Sequence, residues 1–364
     1  MGMSAVRLFT VGPVEMRDEI RELGGAAVPY FRTPEFSEMM LDSDRLLKKM
    51  MGTAETSQSI YLTASGSGAM EAAVLNCFTA EDRLLIVNGG SFGQRFVDIC
   101  HTHGIPYEEI RLSFGEVLSE KHLAAFADTP LTGVLVNIDE TSTGQLYDIR
   151  LLTDFCRRRG LYLMVDAISS FLCDPYEMDR SGVDVTIISS QKGLCVPPGM
   201  SVVVLNRRIW EARVENSALR SLYFDFRAYA ADFKRGQTPF TPAVGICVQM
   251  HRALRLIDEQ GLEAYLAHIS RVAEDFRKKA ARRLLPIRVP EYPLSNAITP
   301  LVFAQGEAYR VFEILKDSYG VMVNPTGGAL HDKVLRVAHI GKTDVKDNDF
   351  LLDCMEKAIR QAQK

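Results

Sequence analysis

Between residues 57 and 206 the chain alternates short apolar, β-branched runs with longer stretches whose apolar residues recur at helical spacing, and this rhythm restricts the fold more than any other feature. It is the pattern of a mostly parallel sheet sandwiched by helices. The runs are IYLTAS (60–65), RLLIVNGG (83–90), GVLVNID (133–139), LYLMVDAIS (161–169), VTIISS (185–190) and MSVVVLN (200–206). They are apolar at successive rather than alternate positions, as strands covered on both faces are. Between them the spacing predicts helices over 68–79, 94–103, 120–128 and 149–159, the last stopped by Gly160.

Past residue 206 the character changes. A stretch with several aromatic and charged residues (210–235) leads to the turn-rich GQTPFTP (236–242) and then to helical segments at 244–259 and 262–283. Short strands are predicted at 287–289, 297–303, 320–324 and 334–338, with helices at 307–317 and 346–362, which reads as a smaller α+β domain. The expected organisation is α/β, with a large domain over 15–255 and a small one over 256–364 joined by residues 1–14.

Composition narrows the function classes. A hydrophobic content of 47% and a charged content of 24% exclude disordered and fibrous chains. A formal charge of -4 provides no general attraction to nucleic acid or an anionic membrane, so neither is expected as a partner. No apolar run reaches the roughly 18 to 20 residues of a spanning helix, and residues 1–7 lack the apolar core of a signal peptide, so a soluble, cytoplasmic protein is expected. The seven cysteines never fall in a CxxC spacing, which favours buried free thiols over disulfides or a zinc site, and no metal is expected.

In an open parallel sheet, ligands gather where the strands end and the helix N-termini converge. Five polar clusters fall at such ends. Ser65-Gly66-Ser67-Gly68-Ala69 joins a predicted strand to a helix, where backbone N–H groups and the helix dipole suit a phosphate, although an ordinary capped turn would look the same. Asp166 closes an otherwise apolar strand, and a carboxylate there requires a cationic or N–H partner. Ser189-Ser190-Gln191-Lys192-Gly193 offers a lysine that can lose its charge by desolvation and form a Schiff base with an aldehyde. Asn88 to Gly93 places Phe92 between glycines, giving the ring room to lie against a planar ligand, and Asp139 to Gly144 offers hydroxyls to a phenolate or carbonyl oxygen. Together they supply an anion cradle, a stacking ring, a hydroxyl donor, an acid for a ring nitrogen and an amine for an aldehyde, which is the set pyridoxal phosphate needs.

SGSGAMEA (65–72), NGGSFGQR (88–95), ETSTG (140–144), VDAISS (165–170), SSQKGLCVPPG (189–199), TPFTPAVG (238–245) and LRVAHIG (335–341) resemble, in order and spacing, the class V aminotransferases of fold type I. The nearest branch holds the alanine-glyoxylate, serine-pyruvate and 2-aminoethylphosphonate-pyruvate enzymes. The resemblance implies that Lys192 bonds to the cofactor and shuttles the substrate proton, and that Asp166 keeps the pyridine nitrogen protonated. It also implies that Ser67, Gly68, Ala69 and Gln191 lie on the phosphate side, Phe92 and Ile168 on the two ring faces, and Thr141 near the phenolic oxygen. Thr238 and Thr241 match a segment that reaches a neighbouring subunit's phosphate, which implies a homodimer with shared sites. Arg336 matches the arginine that grips the substrate carboxylate, and Gly12 a segment lining the substrate pocket. Arg32 stands at a commonly basic position without an assigned role.

The resemblance implies transfer of an amino group from alanine, serine or 2-aminoethylphosphonate to pyruvate or glyoxylate, by a ping-pong route. SSQKGLCVPPG leans toward the alanine/serine-glyoxylate branch and residues 319–341 toward the phosphonate branch. The alternative is a cysteine desulfurase or related lyase. Those enzymes typically carry histidine before the reactive lysine and a cysteine on a mobile loop, whereas Gln191 precedes Lys192 here.

Overall fold

The structure, a computed structural model, describes residues 6–363. Residues 1–5 and 364, part of the stretches expected to build the small domain, lie outside the described residues. A seven-stranded sheet dominates: β1 (Gln58–Leu62), β2 (Leu84–Asn88), β3 (Tyr107–Arg111), β4 (Gly133–Asn137), β5 (Tyr162–Asp166), β6 (Val185–Ser189) and β7 (Ser201–Leu205). Their spatial order is β1-β7-β6-β5-β4-β2-β3. Strands β6, β5, β4, β2 and β3 pair in parallel, while β7 runs antiparallel to both β6 and β1. It follows that β1 points the same way as the parallel set.

All six apolar runs read from the sequence are strands of this sheet, and their full burial has the expected cause. Along β4, Val134 and Val136 enter one core while Leu135 enters the other; along β7, Val202 and Val204 oppose Val203 and Leu205. The pleat sends alternate side chains to opposite faces, so a strand covered twice must be apolar throughout. One face is covered by helices that include Pro34–Met51, Ile149–Arg159 and Val244–Gln260, the other by helices that include Gly66–Cys77, Ser91–Thr102 and Phe226–Phe233.

A third core lies in the C-terminal region. It joins helices Leu262–Arg283, Ala308–Tyr319 and Val345–Ala362 to a three-stranded antiparallel sheet in which Val334–Ala338 is central between Ile298–Val302 and Asn324–Pro325. Phe9 belongs to this core, and Arg7–Leu8 pairs in parallel with Val321–Met322.

Several elements differ from the sequence-based expectation. The helix predicted over 120–128 extends only from Glu120 to Ala124, and the strand at 287–289 is reduced to one bridge between Arg288 and Val302. The stretch at 320–324 splits into two short pairings around Val323. Strand β3, at one edge of the sheet, has the sequence YEEIR and no apolar run, because Ile110 is its one buried residue and its other positions are half-buried or exposed. Helix Pro34–Met51, to which no sequence signal was assigned, has a clear start nonetheless: Thr33 Oγ1 accepts the Phe36 N–H at 3.3 Å and proline occupies the first position. All seven cysteines are buried and free. Among the described residues no helix is long and apolar enough to cross a membrane.

Candidate active site

Because β1, β2, β4, β5 and β6 run in one direction, their C-terminal ends share one edge of the sheet, and the five polar clusters emerge there. Asp166 is the last residue of β5, and Lys192 follows β6, its parallel neighbour, by one short turn. That turn is held by Cys195 N donating to the Lys192 carbonyl at 2.8 Å and by Ser190 Oγ donating to the Pro197 carbonyl at 2.7 Å. Space around it is tight. A Cβ on Gly193 would sit 2.1 Å from the Phe171 carbonyl oxygen, and one on Gly12 would sit 2.8 Å from Lys192 Cδ, so the N-terminal segment packs directly on the lysine stem.

Electrostatics separate the two groups from ordinary surface residues. Burial pushes the Lys192 amine down to about 8, with Asp139 opposing that shift, Arg336 adding to it and Asp166 opposing it more weakly. Burial likewise pushes the Asp166 carboxyl up to about 7, against the Ile168 N–H that donates to Oδ1 at 2.8 Å. An amine near the neutral range is a nucleophile. A dry carboxyl becomes an anion when a cationic N–H faces it.

Around this pair stand the other expected residues. Ser67, Gly68 and Ala69 open helix Gly66–Cys77, where Ser65 Oγ accepts the Gly68 N–H at 3.4 Å. Arg95, which sequence reading did not single out, donates to Ser67 Oγ at 2.8 Å and brings a cation to the phosphate-type cradle. The Gln191 side chain accepts from Ser189 Oγ at 2.7 Å. Phe92 and Ile168 are half-buried, each keeping exposed surface. Thr141 and Ser169 hydroxyls lie 2.6 Å apart.

Arg336, on the central strand of the small sheet, crosses to the large one. Its guanidinium donates to Thr141 O (2.7 Å), Pro325 O (2.7 Å) and Thr326 Oγ1 (3.1 Å). Three of a guanidinium's five N–H donors are thereby used and two are left for a ligand. Burial lowers it to about 10, and no carboxylate pairs with it among the described residues. Thr238 and Thr241 are joined to Lys192 by no hydrogen bond in this chain: Thr238 Oγ1 donates to Phe240 O at 2.6 Å and Thr241 is exposed. Arg32 donates to Gln237 Oε1 at 3.1 Å and Thr238 O at 3.0 Å, which ties it to this segment.

Glu140 is the residue whose importance the sequence concealed. It is fully buried and accepts from Asn137 Nδ2 (2.8 Å), Gly93 N (3.0 Å), Ser142 N (3.2 Å), Phe92 N (3.4 Å) and Ser142 Oγ. One carboxylate thus pins the start of the Phe92 helix to the hydroxyl-bearing turn, at the end of the dipole where an anion is favoured. Only its place in a polar cluster hinted at this.

The donor set fits pyridoxal phosphate. A desolvated amine, a buried acid, two partly exposed apolar side chains and a helix start with an adjacent arginine correspond in kind to an aldehyde, a pyridinium, a ring and a phosphate. Residues 32–339 match the family described as Aminotransferase class-V.

The chain belongs to this family.

It is 30% identical over 325 residues to the soluble hydrogenase 42 kDa subunit of Anabaena cylindrica, covering 88% of this chain and 84% of that protein. It is 28% identical to the L-aspartate–glyoxylate aminotransferase of Paracoccus denitrificans, over 92% of this chain and 86% of that enzyme. The crystal structure of an alanine–glyoxylate aminotransferase from Nostoc sp. has the same fold, with a TM-score of 0.92 at 24% identity over 99% of this chain and 96% of that one. This class V aminotransferase is a pyridoxal phosphate-dependent transaminase, with a large mostly parallel sheet flanked by helices.

Proposed function

We propose that this class V aminotransferase moves an amino group from a small donor (alanine, serine or 2-aminoethylphosphonate) to pyruvate or glyoxylate in the cytoplasm, the first product leaving before the acceptor binds. The observation that carries the reading is the placement of Lys192 and Asp166, both buried, at the ends of adjacent parallel strands. When bound, pyridoxal phosphate supplies an aldehyde carbon for the amino group and a ring that withdraws the electron pair left on the substrate carbon. Lys192 Nζ takes the proton from the donor's α-carbon and later returns one to the acceptor. Asp166 would hold a ring N–H by charge, Phe92 and Ile168 would confine the ring, Thr141 would serve its phenolic oxygen, and Ser67, Gly68, Ala69 and Gln191 would hold the phosphate with Arg95. Arg336 and the segment at Gly12 receive the substrate carboxylate.

Thr238 and Thr241 would complete the phosphate site of a second copy. This reading is supported by the exposed apolar surface beside them, where Tyr223 stacks on Phe240 at 5.0 Å and Leu222 is 84% exposed. The domains divide near residue 256, with residues 1–14 joining the smaller unit, in keeping with Phe9 in the C-terminal core. The lyase alternative lacks support from the thiols: Cys195 is buried and pushed up, as are the other six.

The test is a half-reaction screen. The cofactor-loaded protein is mixed with single amines, and the visible absorbance of the bound cofactor should bleach with at least one of the three donors, the matching 2-oxo product accumulating. Sulfide release from cysteine without any bleaching by these donors would overturn the assignment. Arg336→Ala should raise KM for both carboxylate substrates roughly 10- to 100-fold, the cost of about 1.5–3 kcal/mol expected for a charge-assisted hydrogen bond, with a smaller effect on kcat. Unchanged KM values for both substrates remove Arg336 from the site.

A further inference from the structure

Helix Ser91–Thr102, which carries Phe92 in its first turn, has no cap of its own. It follows Gly90, which has no side chain to offer, so the N–H groups of Ser91, Phe92 and Gly93 need acceptors from elsewhere. The turn beyond β4 supplies them. Ser142 Oγ accepts from Ser91 at 3.1 Å, and the two carboxylate oxygens of Glu140 accept from Phe92 at 3.4 Å and from Gly93 at 3.0 Å. Gln94 N then donates to the Gly90 carbonyl at 3.0 Å, and from there the helix closes its own bonds. Only glycine fits at 90, since a Cβ there would sit 2.6 Å from Glu140 Cδ.

The other side of the same turn meets the small sheet. The Glu140 carbonyl accepts from Thr143 N at 2.9 Å and Gly144 N at 2.8 Å, and its Oε1 accepts from Ser142 N at 3.2 Å, so Thr141 lies between anchored neighbours. Thr141 presents its carbonyl to Arg336 Nη1 at 2.7 Å. The carboxylate is itself seated on Asn137 Nδ2 at 2.8 Å, from the last residue of β4, which stands opposite Asp166 in the register of β4 and β5. Glu140 is fully buried, and among the described residues no cation pairs with it; N–H and O–H donors alone compensate it. Capping a helix for stability requires one acceptor at its start. This carboxylate also fixes the backbone that Arg336 grips.

We infer that Glu140 is a positioning residue for both halves of the site: it sets where the Phe92 ring lies and where the carbonyl that orients Arg336 stands. It acts through Phe92 and Thr141 and is not itself a contact of cofactor or substrate. The inference rests on Phe92 and Arg336 having the roles proposed above.

Two double-mutant cycles test it. In the first, the full-length, cofactor-free chain is titrated with pyridoxal phosphate and the visible absorbance gives the apparent Kd. Glu140→Gln keeps the volume but replaces two acceptor oxygens with one, so a donor at the helix start loses its partner and Kd should rise roughly tenfold. In a Phe92→Leu background the same change should cost less than about threefold, because the ring it places is gone. In the second cycle, Glu140→Gln should raise KM for pyruvate or glyoxylate about threefold or more, and should add nothing in an Arg336→Ala background. A residue that merely supports the fold would give equal costs in both backgrounds, so additivity in either cycle overturns the inference. Ser142→Ala, which removes one capping hydroxyl, replaces Glu140→Gln in both cycles if the glutamine variant does not fold. Failure of the cofactor reading is distinct: wild type then shows no visible absorbance at any cofactor concentration, whereas an additive cycle in a chain that binds cofactor removes Glu140 alone.

Discussion

Lys192→Ala is expected to abolish transamination, by a factor on the order of 10^4 or more, while the protein stays folded. The two halves of that statement have different origins. Turnover is lost because no other amine is placed to bond the aldehyde or to carry the proton between substrate carbon and cofactor. The fold survives because the Lys192 side chain donates no hydrogen bond among the described residues and its burial opposes the charged form, so its removal relieves a desolvation cost. Single-turnover mixing with a donor, alongside a thermal melt, checks both halves. A variant that transaminates at near wild-type rate would show that the proton and the covalent bond belong to another residue.

Asp166→Asn should reduce turnover about 10^2- to 10^3-fold, the loss typical when a preorganised group facing developing charge is neutralised, roughly 3–4 kcal/mol. The cofactor should still attach through Lys192, so the visible absorbance persists while kcat falls. Stability should move the other way. The folded carboxyl is raised from 3.8 to about 7, so its contribution is fully present below the unfolded value and is lost as pH rises through 7. Asparagine has no proton to lose. The cofactor-free variant should therefore match wild type near pH 4 and exceed it at pH 8, by up to about 4 kcal/mol. Activity within about tenfold of wild type, or a melting difference that does not grow with pH, would sink the assignment.

How far the chain could be read in advance followed burial. The six strands covered on both faces were legible because double coverage demands unbroken apolar runs; β3, where Ile110 alone is buried, carries Glu108 and Glu109 and left no such trace. Helix Ile149–Arg159 has the bounds its spacing predicts, with Gly160 as the expected left-handed stop, and the structure adds its start, where the Asp148 side chain accepts the Arg150 N–H. By contrast, helix Glu120–Ala124 stopped short of the predicted 128 because the following residues turn rather than continue. At the site, most residues proposed to touch the cofactor stood out because they end or follow a strand, whereas Thr238 and Thr241 lie between two helices. Those that support them did not: Arg95 reaches Ser67 across 28 positions, and Glu140 holds Phe92 from 48 away.

What the sequence by itself determined is the register of chemistry along the chain: a doubly covered parallel sheet, and acid, amine, ring and small-residue turn each set at a strand end. Which of those groups meet, and in what charge state, was decided by tertiary structure alone. Arg336 reaches the Thr141 carbonyl only because the small sheet closes against the large one, and Lys192 and Asp166 are desolvated only because the elements packed around the strand ends bury both. Local pattern encodes burial and direction, since those depend on neighbours in sequence. Desolvation, and the proton affinities it sets, depends on neighbours in space.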